Sequence, residues 1–138
     1  MARKDVYHDT VVKALQADGW SITDDPLTVS FGDKNLFIDL GAEKLIGAKK
    51  GHQQIAVEIK SFLSPSDIND LESAVGQFNL YRDILSEIES DRILYLAIPE
   101  RAYDGIFSSP IGQLIIEKQE LRLIVFDDES ERIIRWLP

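Results

Sequence analysis

Leu36-Phe37-Ile38-Asp39-Leu40 and, further on, Gln54-Ile55-Ala56-Val57-Glu58-Ile59-Lys60 decide how this chain is read. Both are apolar runs of strand length, and both carry ionisable groups where a core strand would carry none. An ionised carboxylate or ammonium in apolar surroundings is costly unless it is paired or bound to a metal. Residues two apart on a strand share a face, so Glu58 and Lys60 project together while Ile59 points the other way. A strand through Asp39 lying beside them brings two carboxylates and one ammonium to one place. Hard oxygen donors of this kind suit Mg²⁺, which takes one or two carboxylates and completes its shell with waters and substrate phosphate oxygens. Asp39 and Glu58 are the candidate metal ligands, and the carbonyl of Ile59 is a third oxygen. Lys60 is the candidate to orient an attacking water or to stabilise developing charge. The same spacing also describes a cross-strand ion pair on an open sheet face, which would be weakly stabilising and nothing more.

On the N-terminal side of these runs, residues 5–18 read as a helix capped by Asp5, with Tyr7, Val11, Ala14 and Leu15 at helical spacing. Gly19 closes it and Trp20 follows as a core anchor. Residues 20–23 read as a short strand stopped by Asp24-Asp25-Pro26, and Leu27-Thr28-Val29-Ser30-Phe31 as a strand with one wet face. A turn at 32–35 leads into the Asp39 strand. Residues 41–52, with three glycines and Lys44, Lys49 and Lys50, read as a loop in which 42–46 is open to local helix. Ser64-Pro65-Ser66-Asp67 reads as a helix start with Ser64 as cap and Pro65 at the first position. Ile68, Leu71, Val75, Phe78, Leu85 and Ile88 carry the apolar stripe on to Ser90. Residues 92–98 and 121–126 are near-continuous apolar runs, as strands buried on both faces would be. Short helices are expected at 103–107 and 110–117, and a final strand at 133–137. The expected order is α-β-β-β-β-α-β-α-β-β, a mixed β-sheet flanked by α-helices, with no repeat or linker to divide residues 1–138 into two domains.

Composition narrows the class. The chain of 138 residues is 44% hydrophobic and 28% charged, which is globular rather than disordered. It has no cysteine, so disulfides and thiolate metal sites are excluded. No apolar run approaches the roughly 20 residues of a membrane span, and the N-terminus lacks the apolar core of a signal peptide, so a cytoplasmic protein away from the membrane is expected. The net charge of −9 opposes non-specific binding to nucleic acid. That charge is unevenly spread: eight Lys/Arg against nine Asp/Glu over residues 1–60, and seven against fifteen over 61–138. The near-neutral half holds the Asp39/Glu58/Lys60 group, and the acidic half suits solvent or a protein partner. His8 and His52 lack ligand spacing and read as surface residues.

Asp39 on one strand and Glu58-Ile59-Lys60 on the next resemble the PD-(D/E)XK motif of restriction-endonuclease-like nucleases, with Ile38 where a proline commonly precedes the aspartate. Over essentially its whole length the chain is similar to the XisH family, the fdxN element excision controlling factor proteins. The similarity is carried by Ile38-Asp39-Leu40-Gly41-Ala42-Glu43-Lys44, by Ile55-Ala56-Val57-Glu58-Ile59-Lys60-Ser61-Phe62 and by Ile111-Gly112-Gln113-Leu114. The resemblance implies an α/β restriction-endonuclease-like core and a role in excising a DNA element beside a site-specific recombinase, with a small companion protein, XisI. It implies a Mg²⁺- or Mn²⁺-dependent DNA endonuclease site, or a non-catalytic accessory module on the same fold. Asp9 matches a position where some relatives place another acid, and Gln77 matches a glutamine that some subfamilies use near the metal. Both are otherwise ordinary solvated helix positions. Glu43 is a candidate supporting acid, and Lys44, Lys49 and Lys50 are candidate phosphate contacts or a plain solvated loop. An apolar last strand at a sheet edge makes a homodimer the expectation.

Overall fold

The computed structural model describes residues 4–47 and 51–138. Eight strands and four α-helices follow in the order α1 (His8–Ala17), β1 (Ser21–Asp24), β2 (Leu27–Phe31), β3 (Lys34–Ile38), β4 (Leu40–Gly47), β5 (Gly51–Ile59), α2 (Asp67–Ile88), β6 (Arg92–Pro99), α3 (Glu100–Asp104), α4 (Pro110–Lys118), β7 (Leu123–Asp127) and β8 (Arg132–Leu137). A 3-10 turn at Ile106–Ser108 joins α3 to α4. Six strands form one mixed sheet in the order β1-β4-β5-β6-β7-β8, in which β5, β6 and β7 run parallel and the other pairings are antiparallel. The hairpin β2–β3 stands apart as a two-stranded sheet.

The period of two along the central strands builds two cores. Ala56 of β5, Leu94, Leu96 and Ile98 of β6, and Leu123 and Val125 of β7 face the side covered by α2, the β2–β3 hairpin and the α3–α4 segment. Ile55, Val57 and Ile59, Tyr95 and Ala97, and Ile124 and Phe126 face the side covered by α1, where Trp20, Tyr95 and Trp136 pack ring against ring. Covering on both faces is why β6 and β7 read as near-continuous apolar runs.

Several expectations are corrected. Residues 40–47 and 51–59 are the two arms of an antiparallel hairpin rather than a loop, with Leu40 opposite Val57 and Glu43 opposite Gln54. Glycine misleads here: Gly41 is paired with Ala56 on one side and Asp24 on the other, and a Cβ there would lie 2.7 Å from Asp24 Oδ2 and 3.0 Å from Arg92 Nη1, a close approach that suits glycine within a strand. Asp39 lies not inside one strand but at the joint where the chain leaves the small sheet at Ile38 and enters the large one at Leu40. The cap of α2 is Ser66, whose hydroxyl accepts from the Asn69 N–H at 3.2 Å, so Ser64 and Pro65 precede the helix. That helix ends at Ile88, and both Ile68 and Ile88 are exposed; its buried stripe is Leu71, Ala74, Phe78, Tyr81 and Leu85. Asp5 does not cap α1 but closes a turn ahead of it, accepting from the Tyr7 N–H at 2.9 Å. The helix expected at 103–107 is α3, begun earlier by the residues after Pro99, plus the 3-10 turn. His8 is buried, only 4% exposed, because it shares a helical face with Val11, Ala14 and Leu15; His52 is exposed as expected.

The last strand does end the sheet. Its edge carries a bulge at Ile134, between Arg135 opposite Val125 and Ile133 opposite Phe126, and Arg132 and Arg135 flank that bulge. Bulges and charges are the means by which edges oppose strand addition.

Candidate functional site

The site forms where β4 begins and β5 ends. The chain crosses between sheets at Asp39, and the antiparallel pairing of Leu40 with Val57 sets Asp39 beside Glu58. Each acid holds the other's strand. The Asp39 N–H donates to Glu58 Oε1 at 3.2 Å, and the Ile59 N–H donates to Asp39 Oδ2 at 2.8 Å. Beyond the end of β5, the Lys60 N–H donates to the Ala97 carbonyl at 3.0 Å, which keeps Lys60 in strand register and on the same face as Glu58.

Burial sets the electrostatics. Glu58 is 6% exposed, and removal from water pushes its carboxyl up to about 8, helped by the charge of Asp39 and opposed by the Asp39 N–H and Lys60. Burial also raises Asp39, against the N–H of Ile59 and the bond to Glu58. The two acids titrate as a pair. His8 and Asp5 lie close enough for their charges to act on Asp39 in opposite senses. Tyr81 stands over the pair from α2: burial raises its phenol, and the charges of Glu58 and then Asp39 raise it further.

The expected residues divide. Asp39, Glu58, Ile59 and Lys60 are brought together. Gln77 lies one helical turn from Tyr81 and one from Ser73, on the helix face turned to the site. Its side-chain oxygen is buried without a hydrogen-bond partner. Asp9 is exposed on α1, and the residue next to it, His8, turns inward instead. Glu43 sits four residues along β4 from Asp39, roughly 13 Å away at strand rise, so it does not reach the site. Lys44 donates to the Asp18 carbonyl at 2.8 Å and lies over the Trp20 ring, at the far end of α1 rather than on a substrate. Lys49 and Lys50 lie outside the described residues.

Sequence reasoning missed His8, Asp25 and Tyr81. His8 Nε2 meets Asp25 Oδ1 at 2.7 Å, while its Nδ1 is buried without a partner. The spacing 8, 11, 15 marks His8 as inward-facing; nothing local pairs it with Asp25. Tyr81 is seven residues after Ala74 and reads as one more core position.

A cleft of about 250 Å³ opens at Lys60, lined also by Asp5, Ser61, Phe62, Leu63, Ser64, Asp70 and Ser73; Asp39 and Glu58 are not among its walls. No cluster of three or more His, Cys, Asp or Glu that could cage a metal occurs among the described residues. The donor set still fits a hard divalent cation, which needs only one or two carboxylates when waters and substrate oxygens complete the shell. The orphaned Gln77 oxygen on the facing helix fits as well.

The model of the XisH protein family matches residues 1–134. The crystal structure of an XisH family protein from Nostoc punctiforme, 39% identical, superposes with a TM-score of 0.88 and covers 97% of this chain and 100% of that one. The crystal structure of an fdxN element excision controlling factor protein from Anabaena variabilis, 43% identical, has a TM-score of 0.88 and covers 98% and 100%. No curated protein matches the chain. No helix among the described residues is long and apolar enough to cross a membrane.

Proposed function

The chain belongs to the XisH family, and on that premise we propose that it is a control factor for excision of a DNA element, built on a restriction-endonuclease-like core with a metal-assisted phosphodiester site. The observation that carries the reading is the pair Asp39 and Glu58, a half-buried and a buried carboxylate side by side, each held by a backbone N–H of the other's strand. Desolvation raises the proton affinity of both acids even against the charges of Lys60 and His8, and a divalent cation is the partner that would relieve it. Asp39, Glu58 and the Ile59 carbonyl would hold Mg²⁺ or Mn²⁺, which supplies Lewis acidity and a lowered pKa for bound water. Lys60, on the Glu58 face, orients the attacking water or stabilises the charge that builds on the phosphate. Gln77 and Tyr81 confine the acids from α2, and the reciprocal N–H bonds fix their positions before substrate arrives. DNA is the substrate this chemistry suits.

A second reading keeps the fold and drops the chemistry: a non-catalytic accessory module that works with a small XisI-like companion and a site-specific recombinase. The excess of acids over residues 61–138 favours it, since seven Lys/Arg face fifteen Asp/Glu there.

Calorimetric titration of Mn²⁺ into the wild type and Asp39→Ala, paired with nicking of supercoiled and branched DNA by the wild type and Lys60→Ala, separates the two. The first reading expects binding lost in Asp39→Ala and metal-dependent nicking lost in Lys60→Ala with the fold intact. No cleavage of any DNA form with either metal and with the companion present overturns it in favour of the accessory module.

A further inference from the structure

The segment just after Lys60 has an unusual backbone. Phe62 has φ of 55°, the left-handed region that a bulky side chain adopts only under constraint. Two contacts impose it. The Phe62 ring is buried and packs edge-on against Phe107 with centroids 5.3 Å apart. Arg101, at the start of α3, donates from Nη1 to the Phe62 carbonyl and from Nη2 to the Ser61 carbonyl, both at 2.8 Å.

One guanidinium therefore draws two successive carbonyls to the same side. In a planar trans peptide the N–H points opposite to the C=O, so the N–H groups of Phe62 and Leu63 both point away from Arg101. Neither donates to any acceptor among the described residues. The cleft at Lys60 is lined also by Ser61, Phe62 and Leu63, and Arg101 is not one of its walls. Two adjacent, co-directed N–H groups form a concavity of positive potential that takes an anionic oxygen, and Lys60 lines the same cleft.

We propose that the Phe62 and Leu63 amides, with Lys60, form a phosphate-oxygen subsite of the cleft, and that Arg101 is the positioning residue that keeps the amides aimed into it. The proposal deepens the phosphodiester reading and rests on it: the subsite receives a backbone phosphate of the substrate next to the Asp39/Glu58 pair. Asp5 and Asp70 also line the cleft, but one oxygen of each already accepts an N–H, from Tyr7 and from Ser64. Their charge keeps binding of free phosphate weak, on the order of millimolar, and leaves a DNA duplex, held along its length, to bind more tightly.

The test follows backbone amide resonances of the metal-free, full-length protein during titration with inorganic phosphate and, in a second arm, with a 12-base-pair duplex, at constant ionic strength. Saturable shifts centred on Phe62 and Leu63 in both arms support the subsite, as does at least tenfold weaker phosphate binding in Arg101→Ala with the rest of its spectrum unchanged. Shifts in the duplex arm alone support a subsite specific to the diester backbone. Unmoved Phe62 and Leu63 amides in both arms overturn it, as does undiminished binding in a folded Arg101→Ala. Should that variant not fold, the wild-type shifts decide. Metal-dependent nicking with unmoved amides sinks the subsite and spares the phosphodiester reading, whereas shifted amides without nicking do the reverse.

Discussion

Glu58→Gln should make the protein more stable than the wild type at neutral and alkaline pH while abolishing its affinity for a divalent cation. Glutamine keeps the shape of a protonated glutamic acid, and its carbonyl can still accept the Asp39 N–H that Glu58 accepts at 3.2 Å. The carboxyl titrates near 4.5 in the unfolded chain and at about 8 in the fold, so between those values the native state binds the proton that the unfolded state has released. Stability is therefore full below the unfolded value and falls as the pH rises through the folded one. At about 1.4 kcal/mol per unit, the loss is roughly 3 kcal/mol between pH 5 and 7 and at most about 5 kcal/mol by pH 8. For a chain of this length, 3 kcal/mol is a drop of about 10 °C in melting temperature. Denaturant unfolding read by Trp20 and Trp136 fluorescence, from pH 5 to 8.5 at fixed ionic strength with a chelator present, gives the curve. Against the wild-type decline, Glu58→Gln should keep only the weaker slope left by Asp39. Adding Mn²⁺ at pH 8 should restore wild-type stability, because a cation that binds only the folded, deprotonated pair stabilises by mass action. It should leave Glu58→Gln unmoved. A wild-type curve flat or rising between pH 5 and 8, or the same decline in both proteins, would refute the desolvated, mutually repelling pair from which the metal site is inferred.

Two further substitutions test the scaffold. Asp25→Ala leaves His8 buried with both ring nitrogens unpartnered and should cost about 1–3 kcal/mol, measured by denaturant unfolding at neutral pH; a neutral result would mean the 2.7 Å contact contributes nothing. Gly112→Ala drives a Cβ into the Ile106 carbonyl and to 2.5 Å from Phe107 Cα, backbone that cannot yield, and should cost about 3 kcal/mol. Because Phe107 holds the Phe62 ring, that variant should also weaken phosphate binding at the cleft, and amide shifts at Phe62 and Leu63 would show whether it does.

The elements whose signal lies in their own residues were legible. The two-faced burial of β6 and β7 is written as unbroken apolar runs, α4 as a proline-led helix, and the turn between α1 and β1 as Gly19, whose φ is 92°. The β4–β5 hairpin was not, since glycine reads locally as a breaker, and Gly41 is held in β4 by pairing with β1 and β5, segments distant in sequence, with Asp24 and Arg92 packed close against it. The start of α2 was misplaced by two residues because serine at 64 and at 66 offers the same cap, and only the fold selects which hydroxyl meets an N–H.

For the site, the sequence alone determined the cast: two acids and a lysine in apolar strands, with a period of two putting Glu58 and Lys60 on one face. Their company came from the packing of the folded chain. The strand register set Asp39 against Glu58 and raised both acids by excluding water; the packing of α1 and α2 brought His8 and Tyr81 to the pair and left Asp9 in solvent. Arg101 reached back from α3 to grip Ser61 and Phe62. Chemical type is fixed by the covalent chain, but burial, pairing and proton affinity belong to the space between segments distant in sequence, and that space exists only once the sheet has formed.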